Sequence, residues 1–179
     1  MAAVEIMANV LMIIAPKNFR DEELLVPKQI LEKAGHKVAV ASITTAPCKG
    51  MKGVVVTPQV SCEDADAADY DMIVVVGGSG APELVLHGEV LSLIETGREL
   101  NKQCAAICLG PMVLAKAGIL EGKRATVYDT PESREAFEEG RVIYTKEDVV
   151  MDDHTVTANG PQAAKRFGEK LVEVLKKVK

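Results

Sequence analysis

Short apolar runs alternate along the chain with longer stretches in which apolar and charged residues are mixed. The runs at Asn9 to Ala15, Met72 to Val76 and Cys104 to Ile107 contain almost no charged residue, which is typical of strands buried on both faces of a sheet. The mixed stretches between them have helical spacing. This alternation predicts an α/β fold: a doubly wound, mostly parallel sheet sandwiched by helices.

The helices are predicted from apolar spacing and from residues that start or stop a helix. The first runs from about Asp21 to Ala34 and stops at Gly35. Pro27 cannot donate to the carbonyl of Glu23, so this helix is expected to be kinked or only beginning there. The other predicted elements are strands at 38–43, 124–128, 142–145, 149–152 and 155–158, a hairpin at 49–58, and helices at 61–69, 81–101 with a break at Gly88, 111–117, from Thr130 and Pro131, and after Gly160.

Cys108 lies where the run at 104–107 meets the helical stretch that begins at Pro111. A strand that passes directly into a helix leaves little room for the turn, so the joint residue is expected in a strained conformation at the carboxyl edge of the sheet. The unpaired N–H groups of the helix start predict a thiol with a lowered pKa. A free cysteine is usually a small core hydrophobe, but this context favours a cysteine nucleophile elbow.

Groups that can act with the Cys108 thiol follow the neighbouring strands. Gly78, in the glycine turn after Met72 to Val76, and Leu109 offer backbone N–H groups to an oxyanion. Glu23 follows the first strand at the same edge, and it can pair with a thiolate if burial and the neighbouring charge raise its pKa. A simple chain reversal at Gly78 and a solvated Glu23 are the plainer interpretations, and the residues alone leave them open.

Composition and charge narrow the function classes. The 179 residues, 47% of them hydrophobic, suit a single domain over 1–179, with 1–6 as a flexible N-terminal extension. A net charge of −5, no basic block and 3% aromatic residues argue against nucleic-acid binding. No apolar run reaches the ~18 residues of a membrane span, and no secretory signal is found, which predicts a cytoplasmic protein without membrane partners.

Cofactor and metal sites are not expected. The four cysteines include no C-x-x-C pair, which argues against disulfides and zinc. The glycine turn is not a dinucleotide fingerprint, because the last glycine of G-x-G-x-x-G would have to stand at Pro82 or Glu83. The sequence therefore predicts chemistry by side chains alone.

Four stretches together resemble the ThiJ/PfpI superfamily, which contains the parkinsonism-associated protein deglycase and archaeal intracellular peptidase-like proteins. The resemblance covers nearly the whole chain and implies a flavodoxin-like sandwich, usually in a homodimer or larger assembly. It also implies a nucleophilic, oxidation-prone cysteine at Cys108, a buried glutamate at Glu23, and oxyanion donors at Gly78 and Leu109. The stretches are F-R-D-E-E-L-L-V-P (19–27), V-V-V-G-G-S-G-A-P-E (74–83), A-A-I-C-L-G-P (105–111) and N-G-P (159–161).

Members of the superfamily that the chain resembles are described as having several activities. They include cysteine peptidases, glyoxalases that convert methylglyoxal to lactate without a cofactor, deglycases, and redox-responsive stress proteins or chaperones. Leu109 stands where peptidase-like members carry a histidine, which disfavours a peptidase. Tyr128 stands where the glyoxalase branch often has a histidine; it can contact a substrate oxygen, but with an unperturbed pKa of about 10 it is a poor base at neutral pH.

The leading expectation is a cysteine enzyme that acts on small reactive carbonyls in stress protection. The first alternative is a redox-sensing stress protein or chaperone in which Cys108 is oxidised to a sulfinate. A catalytically inactive homologue is the second alternative.

Overall fold

The computed structural model describes residues 6–178. Of the predicted N-terminal extension only Ile6, which is exposed, falls within this range; the rest lies outside the described residues. The strands are β1 (Asn9–Ile13), β2 (Lys17–Phe19), β3 (Lys37–Ser42), β4 (Cys48–Gly50), β5 (Val55–Val56), β6 (Val60–Ser61), β7 (Met72–Val75), β8 (Gln103–Ile107), β9 (Arg124–Ala125), β10 (Ile143–Tyr144), β11 (Val149–Asp152) and β12 (Thr155–Ala158). The helices are α1 (Asp21–Lys33), α2 (Gly88–Glu99), α3 (Pro111–Lys116), α4 (Pro131–Glu139) and α5 (Ala164–Leu175), with 3₁₀ turns at Ala67–Asp69, Ala81–Leu86 and Pro161–Ala163.

Seven strands form the central sheet, in the order β11-β12-β8-β7-β1-β3-β6. All neighbours are parallel except β11, which pairs antiparallel with β12. Parallel strands need crossover connections, and helices supply most of them here. The predicted flavodoxin-like, doubly wound, mostly parallel sheet between helices is confirmed.

Two hydrophobic layers cover the two faces of this sheet. Side chains alternate along β1, so that Leu11 and Ile13 face one layer and Val10 and Met12 face the other. The first layer contains residues of α2, α3 and α4, whereas the second contains residues of α1 and α5. A strand buried on both faces explains why the apolar runs are continuous rather than alternating.

The structure changes several details of the predicted elements. The predicted helix at 61–69 is only a 3₁₀ turn at Ala67–Asp69, and Ser61 belongs to β6. The connection at 16–20 is not wholly a loop, because Lys17–Phe19 pairs with β4. The predicted strand at 124–128 is shorter in the structure and ends at Ala125. The N–H of Thr126 donates to the side-chain hydroxyl of Thr157 and not to a carbonyl of a neighbouring strand. Helix α1 begins at Asp21 and contains Pro27, so it does not start at the proline.

Helices α1 and α5 pack very closely. A Cβ atom added at Gly168 of α5 would lie 2.8 Å from Cδ1 of Ile30 and 3.1 Å from Cα of Pro27. Only a glycine allows this approach, which fixes α1, and with it Glu23, against the sheet.

Within residues 6–178, none of the helices has both the length and the apolar character that crossing a bilayer requires.

Candidate active site

The centre of the sheet is the point from which the chain winds in two directions. From β1 the strand order continues to β3 and β6 on one side and to β7 and β8 on the other. In open α/β sheets, the connections at such a point leave the carboxyl ends of the strands on opposite faces and open a crevice between them. The segments after β1, β7 and β8 meet at this crevice.

Cys108 forms the turn between β8 and α3 in a left-handed conformation, with φ of 63°. Its N–H donates to the carbonyl of Ala158 at 2.9 Å, and its carbonyl accepts from the N–H of Tyr128 at 2.8 Å. A Cβ atom at Gly110 would lie 2.5 Å from the carbonyl oxygen of Val75, which explains the glycine two residues on. The strained elbow predicted from the sequence is confirmed in its backbone.

Glu23, in the first turn of α1, is fully buried against the elbow. Its carboxyl packs across Gly77, where an added Cβ atom would collide with Oε2 of Glu23 and would lie 2.5 Å from Cβ of Cys108. The carbonyl of Gly77 in turn accepts from the N–H of Arg20 at 2.9 Å and ties the start of α1 to the glycine turn. Three separate segments thus hold the carboxyl beside the thiol.

The carboxyl of Glu23 is poorly solvated. Within residues 6–178, neither of its oxygens has a hydrogen-bond partner of good geometry. Burial raises the pKa of Glu23 to about 7, and the nearby Cys108 thiol and Gly77 N–H reduce this shift only in part. A substantial fraction of Glu23 is therefore protonated at neutral pH, in contrast to a solvated glutamate.

The pKa of the Cys108 thiol is raised, to about 12. Burial is the main cause, followed by the negative charge of Glu23, while the N–H groups of Gly78 and Leu109 act in the opposite direction. The N–H groups at the helix start thus lower the thiol pKa as expected, but burial and the charge of Glu23 outweigh them, so the net lowering expected from the sequence is wrong. The two groups behave as a pair that keeps one proton between them from near pH 7 to far above it.

Gly78 occupies a conformation that only glycine adopts easily, with φ of 108°. A Cβ atom there would collide with the backbone of Asn18 and Arg20 and would lie 2.7 Å from the carbonyl carbon of Phe19. The close approach brings the Gly78 N–H to the sulfur, on which it acts together with the N–H of Leu109.

One cavity of about 830 Å³ contains all five residues singled out from the sequence: Glu23, Gly78, Cys108, Leu109 and Tyr128. Cys108 is 7% exposed and Tyr128 is 49% exposed, so the thiol is much deeper than the phenol. Residues that were not singled out from the sequence also line the cavity. They are Arg20, Met51, Ser79, Val127, Asp129, Tyr144, Lys146, Asn159, Gly160, Pro161 and Gln162.

No histidine is found among the described residues that line this cavity. His36 accepts from the N–H of Ala8, while His87 and His154 lie beside the carboxylates of Glu89 and Asp153. Nor do three His, Cys, Asp or Glu side chains of residues 6–178 come together as metal ligands would. The thiol of Cys108, the carboxyl of Glu23 and the backbone N–H groups are therefore the candidate reacting groups of the cavity.

The sequence is similar to proteins of archaea and animals. The profile of the DJ-1/PfpI family matches residues 8–174. An uncharacterised protein of Methanocaldococcus jannaschii is 43% identical over 95% of this chain and 83% of its own length. A glutathione-independent glyoxalase of Caenorhabditis elegans is 30% identical over 93% of this chain and 88% of its own, and a deglycase of Pyrococcus abyssi is 28% identical over 92% and 98%.

The fold is similar to known crystal structures. A ThiJ/PfpI domain protein of Brachyspira murdochii superposes with a TM-score of 0.92 at 30% identity, over 97% of this chain and 99% of that one. DJ-1beta of Drosophila melanogaster superposes with a TM-score of 0.85 at 30% identity, over 95% and 91%.

Proposed function

The chain belongs to the DJ-1/PfpI family, and from this premise we propose that it is a cysteine-dependent enzyme that acts on small reactive carbonyls without a cofactor, of the glyoxalase or deglycase type, in stress protection. Similarity to relatives named as a glyoxalase and as deglycases supports this reaction class. A peptidase is disfavoured, because Leu109 and not a histidine follows the cysteine.

The observation that carries the proposal is the burial of Glu23 against the Cys108 thiol at one cavity. A carboxyl with a pKa of about 7 is half ionised at neutral pH, which is the optimum for a group that both accepts and returns protons. A thiol whose own pKa is raised needs such an acceptor in order to attack. Glu23 can accept the proton that the Cys108 thiol must lose, and Cys108 supplies the nucleophile.

The reaction can be written for methylglyoxal. As the sulfur of Cys108 bonds to the aldehyde carbon, the thiol proton passes to Glu23, and the N–H groups of Gly78 and Leu109 stabilise the oxyanion of the hemithioacetal. The oxyanion then takes this proton from Glu23, which becomes a carboxylate again and can act as a base. Glu23 then moves the proton from the aldehyde carbon to the neighbouring carbon through an enediol, which leaves a thioester. Water hydrolyses the thioester, so methylglyoxal and one water give lactic acid and the free thiol returns.

Tyr128 has a contact role in this proposal. Its phenol lies at the more open part of the cavity, and its backbone N–H is fixed by the carbonyl of Cys108. A phenol O–H can donate to the second carbonyl oxygen of the substrate, but it does not act as the base.

Lactate formation from methylglyoxal without glutathione tests the proposal. Cys108→Ser and Glu23→Gln should each lower kcat/KM by at least about 100-fold, since nucleophilic and general-base steps of this kind contribute 10² to 10⁴. Cys104→Ala is the matched control, because Cys104 is a buried cysteine of β8, the strand that leads to Cys108, and it faces the opposite layer. Undiminished lactate formation by Cys108→Ser would overturn the mechanism.

A second candidate function is redox sensing, and the lack of a histidine in the described cavity lining favours it. Peroxide would convert the Cys108 thiolate to a sulfenate and water, and a second peroxide would give the sulfinate and another water. Protonated Glu23 and the N–H groups of Gly78 and Leu109 would donate hydrogen bonds to the sulfinate oxygens.

Intact-protein and peptide mass after mild peroxide separate this candidate from general damage. Sensing predicts a gain of two oxygens confined to Cys108, and Glu23→Leu should prevent it. Oxidation spread over methionines and the other cysteines would count against sensing.

The assembly and the location are part of the same proposal. We propose a homodimer or larger homo-oligomer in the cytoplasm, with no nucleic-acid or membrane partner. Large apolar side chains at the surface of α1 and of the β4-β5 hairpin are consistent with an assembly: Leu25, Met51 and Val55 are 42%, 43% and 63% exposed.

A further inference from the structure

Arg20 is a cation in the wall of the same cavity, directly before α1. Its backbone is fixed, since its N–H donates to the carbonyl of Gly77 at 2.9 Å. Its guanidinium is also fixed, because Nε and Nη2 donate to the two oxygens of Glu22 at 2.8 and 3.2 Å. A preorganised arginine costs little conformational entropy when it binds a ligand.

Glu22 does not use up the binding capacity of Arg20. A guanidinium has five N–H groups in a planar fork, and the two bonds to Glu22 occupy the edge formed by Nε and Nη2. No other hydrogen bond of this side chain is found among residues 6–178. The edge formed by Nη1 and Nη2 matches the two oxygens of a carboxylate.

The charge of Glu22 is also shared with a second cation. Nζ of Lys52 lies 2.7 Å from Oε1 of Glu22, so one carboxylate faces two cationic groups. The side chains of Arg20, Glu22 and Lys52 therefore carry two positive charges and one negative charge, and the carboxylate of Asp21 lies next to them, where it accepts from the N–H groups of Lys52 and Val54. The charge of Arg20 is close enough to Glu23 and Cys108 for each to raise the pKa of the guanidinium, although less than Glu22 does.

From this placement we propose that Arg20 binds an anionic group of the substrate, and that the site takes reactive carbonyl compounds that carry a carboxylate, such as a 2-oxoaldehyde with a carboxylate two methylene groups away. As a statement on substrate class this rests on the proposed function, but recognition of an anion beside the Cys108 thiol does not. Arg20 balances the negative charge that the Cys108–Glu23 pair carries above neutral pH, which would otherwise repel an anion.

Alkylation of Cys108 by iodoacetate and iodoacetamide tests the proposal without any turnover. In both reactions the sulfur bonds to carbon and iodide leaves, and the reagents differ mainly in the charge of their tails. Their rate ratio at one pH cancels the reactivity of the thiol itself, so it reports how the surroundings of Cys108 receive the charge of the reagent's tail. Peptide mass assigns the label to Cys108.

Arg20→Leu should lower the iodoacetate-to-iodoacetamide ratio at Cys108 by at least about tenfold, the size of one charge-assisted hydrogen bond to an anion. Arg20→Lys, which keeps the charge without the fork, should keep part of the preference. Lys146→Leu is the control, since Lys146 is the other cationic side chain among the described residues that line the cavity. An unchanged ratio in Arg20→Leu, or a fall that occurs in Lys146→Leu instead, would overturn the proposal.

Turnover of 4,5-dioxopentanoate and methylglyoxal then distinguishes failure of the proposed function from failure of anion recognition by Arg20. The proposal expects a higher kcat/KM for 4,5-dioxopentanoate in the wild type and loss of that preference in Arg20→Leu. If neither compound is converted but the alkylation ratio falls in Arg20→Leu, the proposed function fails while anion recognition stands. If both are converted without any effect of Arg20→Leu on preference or ratio, the assignment of Arg20 fails and the proposed function stands.

Discussion

At the scale of single residues, the candidate chemistry depends on a thiol and a carboxyl that share a proton. The position of Cys108 at the elbow could be predicted because a strand, a glycine and a proline surround it in sequence. Its pKa could not, because the helix-start argument considers local N–H groups and omits both burial and the charge of Glu23. Arg20 was missed because its pairing with Glu22, two residues on, has no signature in helical spacing.

Burial of Glu23 should make stability depend on pH. The folded-state pKa of about 7 lies above the reference value of 4.5, so the unfolded chain loses this proton first as pH rises. The stability of the wild type therefore falls between about pH 4.5 and pH 7 and stays lower above that range. Relative to wild type, Glu23→Gln should therefore be more stable at pH 8 than at pH 4, by up to about 3 kcal/mol. Urea unfolding at both pH values measures this difference.

Glu22→Gln is a neighbouring control of opposite sign. Hydrogen bonds from Lys52 and Arg20 lower the pKa of Glu22 to about 2, so the stability that its charge contributes is present above pH 4.5 and is lost as pH falls toward 2. Glu22→Gln should therefore be less stable than wild type at pH 8, with a smaller difference at low pH. A Glu23→Gln difference that does not grow with pH would contradict a buried carboxyl.

At the scale of elements, the crevice follows from the order of the strands. Strands β1, β7 and β8 are adjacent, so the segments that follow them meet at one edge, which the sequence predicts once the three apolar runs are recognised. Tyr144, Lys146 and Asn159 were not predictable in this way, because short pairings such as β9 with β10 bring their segments to the cavity. Strands of two residues are too short to show a recognisable alternation of apolar and polar positions.

The contact of α1 with α5 should be sensitive to a single methyl group. Gly168→Ala forces a Cβ atom to within 3.1 Å of backbone at Pro27, and overpacking of this kind costs about 1 to 3 kcal/mol in the free energy of unfolding. Because α1 holds Glu23, kcat/KM for methylglyoxal should fall as well. Thermal and urea unfolding together with turnover measure the two effects.

Gly88→Ala provides the comparison for this substitution. An added Cβ atom at Gly88 has no heavy atom within 4 Å, and alanine favours a helix over glycine by up to about 1 kcal/mol, so this variant should be neutral or slightly stabilised. Equal effects of the two substitutions would mean that the helix contact is not as close as described.

At the scale of the whole molecule, the fold could be predicted almost completely because each level of the sequence agrees with it. Continuous apolar runs, helix stops and the capping box of Thr130 and Ser133 at the start of α4 all indicate the same architecture. The assembly could not be predicted in the same way, because exposed apolar side chains do not by themselves identify the partner that covers them.

A homodimer predicts a solution mass of about twice the 19.2 kDa of the chain. Sedimentation equilibrium or light scattering over a range of concentrations measures it. Val55→Lys places a charge on the 63%-exposed side chain of the β4-β5 hairpin and should weaken an assembly that uses this surface, whereas Lys116→Glu on α3 should not. A monomer at all concentrations would contradict the proposed assembly.

The pairing of Cys108 with Glu23 is tested most directly by the pH dependence of Cys108 alkylation by iodoacetamide, followed by peptide mass in wild type and Glu23→Gln. The account predicts that the wild-type rate rises with an inflection near pH 7, where Glu23 becomes able to take the thiol proton. Glu23→Gln should shift the inflection above the ~8.5 of an unperturbed thiol, because burial raises the thiol pKa by more than the N–H groups of Gly78 and Leu109 lower it. The same inflection in both proteins, or a faster reaction of Glu23→Gln at pH 7, would contradict it.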